Sequence, residues 1–303
     1  MAPKSTSVKN RKVVKASRSD WVSGARLRTL PLAVAPVAIG TGAASLVDKF
    51  DPVLALLCLG VSLCLQIAVN YSNDYSDGIR GTDDFRVGPP RLTGSGKADP
   101  KRVLAVAGAF FVLASIAGLA VVLITGYWWL LAIGVAAVVA AWFYTGGKRP
   151  YGYSGLGELF VFIFFGLVAT VGTTYVQAGV INVESWFGGT GAGLIACAVL
   201  MVNNIRDIPT DKLAGKKTLA VRMGRRASLV VFCALLLIPF ALAAVLAMLY
   251  PLVWLVQFAL LAALPACVIA GTAKTPGEYV LSLKLASLVG LLFGAGLTVG
   301  FFF

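Results

Sequence analysis

Residues 52–84 read PVLALLCLGVSLCLQIAVNYSNDYSDGIRGTDD. To about residue 72 the stretch is apolar for close to the ~20 residues that a helix needs to cross the hydrocarbon core of a bilayer. It then changes abruptly into a cluster of Asn70, Asn73, Asp74, Asp77, Asp83 and Asp84. Similar apolar runs recur at residues 28–47, 102–125, 127–145, 156–180, 189–206, 228–249, 251–272 and 281–302. Membrane helices tolerate internal prolines such as Pro31 and Pro36. The chain of 303 residues is 58% apolar and 13% charged, whereas soluble domains carry about 25% charged residues. The reading is an all-α polytopic membrane protein with nine transmembrane helices. Thr125-Gly126-Tyr127 and Tyr250-Pro251 leave room only for tight turns between neighbours.

The net charge of +13 would point to nucleic acid in a soluble chain. Here its distribution follows the membrane instead. With the N-terminus in the cytoplasm, 25 of the 26 Lys and Arg fall on the cytoplasmic side and only Lys49 falls outside. That asymmetry sets the orientation, N-terminus in and C-terminus out. No nucleic acid and no obligate protein partner is implied; the surrounding partner is membrane lipid. Residues 1–20 are basic and polar without an apolar h-region, and read as a flexible cytoplasmic arm rather than a secretory signal. Residues 21–303 read as a single transmembrane domain, a weak repeat of helices one to four and five to eight plus a ninth.

The absence of histidine removes imidazole bases, Ser-His triads and His-based zinc sites. The five cysteines stand singly in apolar runs and read as small packing residues. The carboxylates remain. A second polar cluster, Asn203-Asn204-Ile205-Arg206-Asp207-Ile208-Pro209-Thr210-Asp211, ends the sixth run on the same side as the first cluster ends the second. Residues i and i+4 share a helix face, which pairs Asn73 with Asp77 and aligns Asn203, Asp207 and Asp211, with a kink expected at Pro209. Clustered carboxylates repel one another unless a cation sits between them. Without His or a suitable Cys, the expected ion is Mg2+, which takes one or two carboxylates and completes its shell with phosphate and water. Two such clusters facing each other make a seat for a diphosphate. Arg80, Arg206, Lys216, Lys217 and Arg222 could meet phosphate oxygens. The glycine-rich loop from Tyr144 to Glu158 adds Lys148 for an anion and tyrosines for a ring.

The pattern Asn73-Asp74-Tyr75-Ser76-Asp77 with a further Asp, together with Asp207-Ile208-Pro209-Thr210-Asp211, resembles the UbiA superfamily of intramembrane aromatic prenyltransferases over about residues 21–303. The stretches Ala25 to Pro31, Asn70 to Asp84, Tyr144 to Glu158 and Asn203 to Gly224 resemble the branch that prenylates 1,4-dihydroxy-2-naphthoate in menaquinone synthesis. The broader superfamily often places a third acid four residues after the second. Position 81 is Gly here, and the role falls to Asp83, as in that branch, with Asp84 beside it.

The resemblance implies helices around a central cavity in the cell membrane, the two motifs facing across its cytoplasmic mouth, and a lateral opening for a polyprenyl tail. It implies Mg2+ held by Asn73, Asp77, Asp83, Asp207 and Asp211, with Asn203 in support. The diphosphate would meet Asn70, Asn73, Arg80, Asn203, Arg206, Lys217 and Arg222. The aromatic acceptor would meet Tyr144, Lys148, Arg26 or Arg28. The implied reaction transfers a polyprenyl group to 1,4-dihydroxy-2-naphthoate, releasing diphosphate and CO2 and giving demethylmenaquinone. Other branches would use 4-hydroxybenzoate, homogentisate or phosphoribosyl diphosphate. A CDP-alcohol phosphotransferase is only half mimicked by Asp77-Gly78-Ile79-Arg80. A cation transporter would carry its acids nearer mid-membrane.

Overall fold

A computed structural model describes residues 15–83 and 88–303. It is all-helical, with no strand among the described residues. The helices are α1 (Arg18–Gly24), α2 (Pro31–Ser45), α3 (Pro52–Ile79), α4 (Pro100–Thr125) and α5 (Leu130–Phe143). They continue with α6 (Gly157–Ala178), α7 (Val183–Leu213), α8 (Leu219–Leu246), α9 (Pro251–Thr272) and α10 (Pro276–Phe302). Their starts are set by simple chemistry. Asp51 and Asp99 accept the first free amide protons of α3 and α4, and Pro52 and Pro100 fill the first helical position. Thr275, Pro276 and Glu278 do the same for α10 through a capping box. Gly126 ends α4 in the left-handed conformation (φ 72°) that the tight turn demands.

Among the described residues seven helices, α3, α4 and α6 to α10, are long and apolar enough to cross a membrane. An eighth span arises if Arg18–Thr29 and Pro31–Ser45, bent by 47° at their junction, count as one. The fourth apolar run gives a helix of only 14 residues, α5. At about 1.5 Å per residue that is roughly 21 Å, short of a ~30 Å hydrocarbon core. Seven or eight full-length spans are thus found where nine were expected. Of the residues expected to form an arm, 1–14 lie outside the described residues; Arg18 already begins α1, whose Asp20 pairs with Lys97 at 2.6 Å.

The core sits in the C-terminal half. α7 is the central pillar, with 72% of its most apolar window buried, against 17% for α3 and 22% for α4. Its glycines let neighbours approach. A Cβ at Gly188 would lie 2.3 Å from Ile39 of α2, and one at Gly191 2.5 Å from Phe293 of α10. Ile39, Ile195, Phe232, Val253 and Phe293 are almost wholly buried around this pillar. α5, by contrast, buries only Ala140. A cavity opens between the well-packed half and this loosely held helix.

Candidate active site

α3 and α7 each run on past their apolar part, so their polar clusters are helical. α3 reaches Ile79 and α7 reaches Leu213. α7 continues through Pro209 to Leu213; the proline removes one backbone donor near the C-terminal end. Asn73 and Asp77 therefore share one face of α3, and Asn203, Asp207 and Asp211 one face of α7. All five, together with Asp83, border one cavity of about 670 Å3. The rest of that cavity is largely apolar, walled by α3, α4, α5 and α6 through residues such as Val61, Gly118, Gly134, Phe164 and Phe165. Part of the α6 wall, Phe162–Val168, is π-helical, a distortion frequent at functional sites.

The carboxylates are held by cations of the same chain. Asp77, 2% exposed, accepts from Arg91 Nη1 and from the Tyr153 hydroxyl, and Lys216 Nζ stands 3.5 Å from its Oδ1. Arg91 Nη1 also reaches Asp83 Oδ2 at 3.2 Å and donates to the Asn73 carbonyl at 3.0 Å. On the other wall, Arg206 grips Asp207 with two hydrogen bonds, Nε to Oδ1 at 2.7 Å and Nη2 to Oδ2 at 2.6 Å. Arg206 Nη2 also donates to Asn203 Oδ1 at 2.9 Å. Burial disfavours a charge on Arg91, but Asp77 and Asp83 outweigh it and raise its pKa above the ordinary arginine value. Burial, and then the charge of Asp77, push the Tyr153 phenol above its usual pKa, so it remains a donor.

The other expected contacts divide. Asn70 borders the cavity and its Nδ2 donates to the Ala25 carbonyl at 2.9 Å. Arg26 and Tyr144 also border it. Arg28 does not, but lies within electrostatic reach of Arg206 and Asp207. Lys148 is exposed and away from the cavity wall. Arg80 is exposed at the end of α3 and donates to the carbonyls of Thr145 and Gly147. Arg222 ties the Lys217 carbonyl at 3.1 Å to that of Ser154 at 2.9 Å. Lys217 is exposed, and its neighbour Lys216 turns to the cavity instead. Arg28, Arg80, Lys148, Arg206, Lys217 and Arg222 thus stand off the cavity wall. The sequence reading missed Arg91, counting it only for sidedness. A signal was present: it follows Pro89-Pro90 and opens the glycine-bearing turn Leu92-Thr93-Gly94. Asp84 lies outside the described residues.

The donor set fits Mg2+. It consists of carboxylate and amide oxygens with no imidazole or thiolate. Among the described residues no three acidic, Cys or His side chains converge on one point. Mg2+ needs only one or two carboxylates when phosphate oxygens complete its shell, so acids from two helices lining one cavity suit it.

The chain is similar to known proteins in sequence and in fold. Residues 33–278 match the UbiA prenyltransferase family. The 1,4-dihydroxy-2-naphthoate octaprenyltransferase of Mycobacterium tuberculosis is 54% identical over 212 residues, 69% of this chain and 71% of that one. In structure, a UbiA homologue of Aeropyrum pernix K1 superposes with a TM-score of 0.69 at 17% identity, covering 88% of this chain and 97% of that one. A UbiA homologue of Archaeoglobus fulgidus bound to DMAPP and Mg2+ superposes with a TM-score of 0.61 at 15% identity, covering 92% and 99%. A helical membrane-type bundle whose two acidic walls share one cavity, matched along most of its length, is thereby placed: the chain is a prenyltransferase and belongs to the UbiA family.

Proposed function

We propose that the chain transfers a polyprenyl group from polyprenyl diphosphate to 1,4-dihydroxy-2-naphthoate, with Mg2+, at the cytoplasmic face of the cell membrane. One observation carries the reading: the two acidic walls meet in a cavity whose remainder is apolar and bounded by the loosely packed α5. A polar head with an isoprenoid tail matches that division. The name of the Mycobacterium tuberculosis relative supports the acceptor. The Archaeoglobus fulgidus complex with DMAPP and Mg2+ supports the donor class and the ion. The Lys and Arg asymmetry supports a cytoplasmic N-terminus and nine membrane helices, α5 entering without full length.

Asn73, Asp77, Asp83, Asn203, Asp207 and Asp211 would hold the ion, which supplies Lewis-acid stabilisation of the departing diphosphate. Arg91 and Lys216 bring positive charge to the same spot as Asp77, where diphosphate oxygens arrive. Tyr153 and Arg206 fix the carboxylates of Asp77 and Asp207. The walls of α4, α5 and α6 hold the tail and keep water from the reacting carbon. The C–O bond to the diphosphate breaks and its electron pair leaves with the diphosphate. The ring forms a carbon–carbon bond to that prenyl carbon. The proton on the ring carbon that forms this bond passes to diphosphate or solvent; the carboxylate departs as CO2, leaving its bonding pair on its ring carbon, which takes up one proton in return. Arg26 and Tyr144, on the wall near Asn70, are the groups in place for the acceptor, Arg26 for its carboxylate.

The test is mass spectrometry of the products that purified protein forms from octaprenyl diphosphate and 1,4-dihydroxy-2-naphthoate. The expected product is the prenylated, decarboxylated ring, lost with EDTA and restored by Mg2+. Transfer to 4-hydroxybenzoate or homogentisate but not to the naphthoate would overturn the acceptor, and transfer undiminished by chelation would overturn the ion.

A further inference from the structure

We propose that Asp74, although it stands inside the acidic motif, is not a ligand of the metal–diphosphate centre. It is the positioning residue that seats Arg91 against the Asp77–Asp83 pair. The proposal rests on the prenyl-diphosphate reading above.

One residue along a helix is about 100° of rotation, so Asp74 cannot share the face of Asn73 and Asp77. It is buried, 3% exposed, and absent from the cavity wall. Both of its oxygens are engaged elsewhere. Oδ2 accepts the Leu92 N–H at 2.8 Å and Oδ1 the Thr93 N–H at 2.8 Å. These are the two amides that directly follow Arg91. A carboxylate is the side chain that presents two acceptors to two parallel donors; an amide presents one acceptor and a clashing donor. The segment is otherwise pressed onto α3 at Gly78, where a Cβ would lie 2.4 Å from Thr93 Cγ2. Leu92 packs with Tyr71, Val103 and Ala107. The result is that Arg91, on a loop, points its guanidinium into the Asp77–Asp83 pair with little freedom. Its Nε is buried without a partner.

The test uses the full-length protein in detergent or nanodiscs, with Asp74→Asn, Arg91→Ala, their combination and Gly78→Ala. Three quantities are read: the KM for prenyl diphosphate, the Mg2+ concentration for half-maximal rate, and the rate of trypsin cleavage after Arg91 in the resting protein. Expected for Asp74→Asn are a donor KM raised at least tenfold, a Mg2+ requirement within twofold of wild type and faster cleavage after Arg91. The double variant should match Arg91→Ala alone within twofold, because a residue acting through Arg91 has nothing left to act on. Gly78→Ala, one turn further along the same face of α3, pushes the same loop off the helix without touching the Asp74 carboxylate, and should raise the donor KM and the cleavage rate even where Asp74→Asn does not fold. A Mg2+ requirement raised more than tenfold in Asp74→Asn, or defects that multiply in the double variant, would overturn the proposal. An inactive Asp77→Asn beside a wild-type Asp74→Asn would sink this inference alone; an active Asp77→Asn would sink the prenyl-diphosphate reading itself.

Discussion

Replacing Asp77 by Asn removes one charge from the centre of the site and almost no volume. The carboxylate is 2% exposed and faces Arg91, Lys216 and Tyr153. At the 3.5 Å separation of Lys216 Nζ from Oδ1, Coulomb's law with an effective dielectric of about 20 gives an attraction near 5 kcal/mol, an upper bound before desolvation is subtracted. Removing one member of a buried ion pair costs about 3–5 kcal/mol, because the abandoned cation keeps its burial. Arg91 retains Asp83, and both Arg91 and Lys216 face the cavity, so the lower end, about 3 kcal/mol, is expected here. Chemistry should suffer more than folding. Loss of one preorganised charge at a site of developing charge is worth about 10²–10³ in rate, and Asp77 serves both the ion and the cations around it. Turnover of the purified variant, followed by chromatography of the prenylated product at saturating Mg2+, should fall at least a thousandfold. The protein should still insert into membranes and unfold cooperatively in detergent at a lower temperature. Turnover within tenfold of wild type would refute the reasoning, whatever the stability change.

Arg26→Ala should raise the KM for the naphthoate roughly thirtyfold, equivalent to about 2 kcal/mol, and leave the donor KM unchanged; steady-state kinetics with each substrate varied in turn checks it. Gly134 borders the cavity and a Cβ there meets nothing within 4 Å, so Gly134→Phe should fold normally and fill the apolar part. Activity with octaprenyl diphosphate should drop at least tenfold relative to geranyl diphosphate in a competition assay. The Tyr153 phenol titrates above its usual value of about 10. Raised in the folded protein, it keeps its proton below that value, and its contribution is lost only as pH rises through the folded pKa. Tyr153→Phe should therefore lower turnover severalfold at every pH from 6 to 9 without moving the alkaline limb of the profile over that range.

The membrane class was legible because a bilayer leaves few choices. Backbone groups without water must bond within their own segment, so apolar runs of this length become helices. Where the expectation slipped, local packing decided. The fourth run became the 14-residue α5, bounded by the turn at Gly126 and the glycine loop after Tyr144. The polar ends of the second and sixth runs became further turns of α3 and α7, where Asn73 accepts from Thr145 and Asn204 donates to Glu158 on neighbouring segments.

The order of residues determined the chemistry on offer: apolar runs that require a lipid solvent, and two Asp motifs at matching helix ends without a histidine to compete. It did not determine which cation meets which carboxylate. Arg80 and Arg91 are equally basic, as are Lys216 and Lys217, yet only Arg91 and Lys216 reach Asp77. A step of one residue turns a side chain about 100° on a helix, and loops add larger freedom. Partner choice across many residues of chain is therefore fixed by how α3, α7 and the segments between them pack, a property of the folded whole.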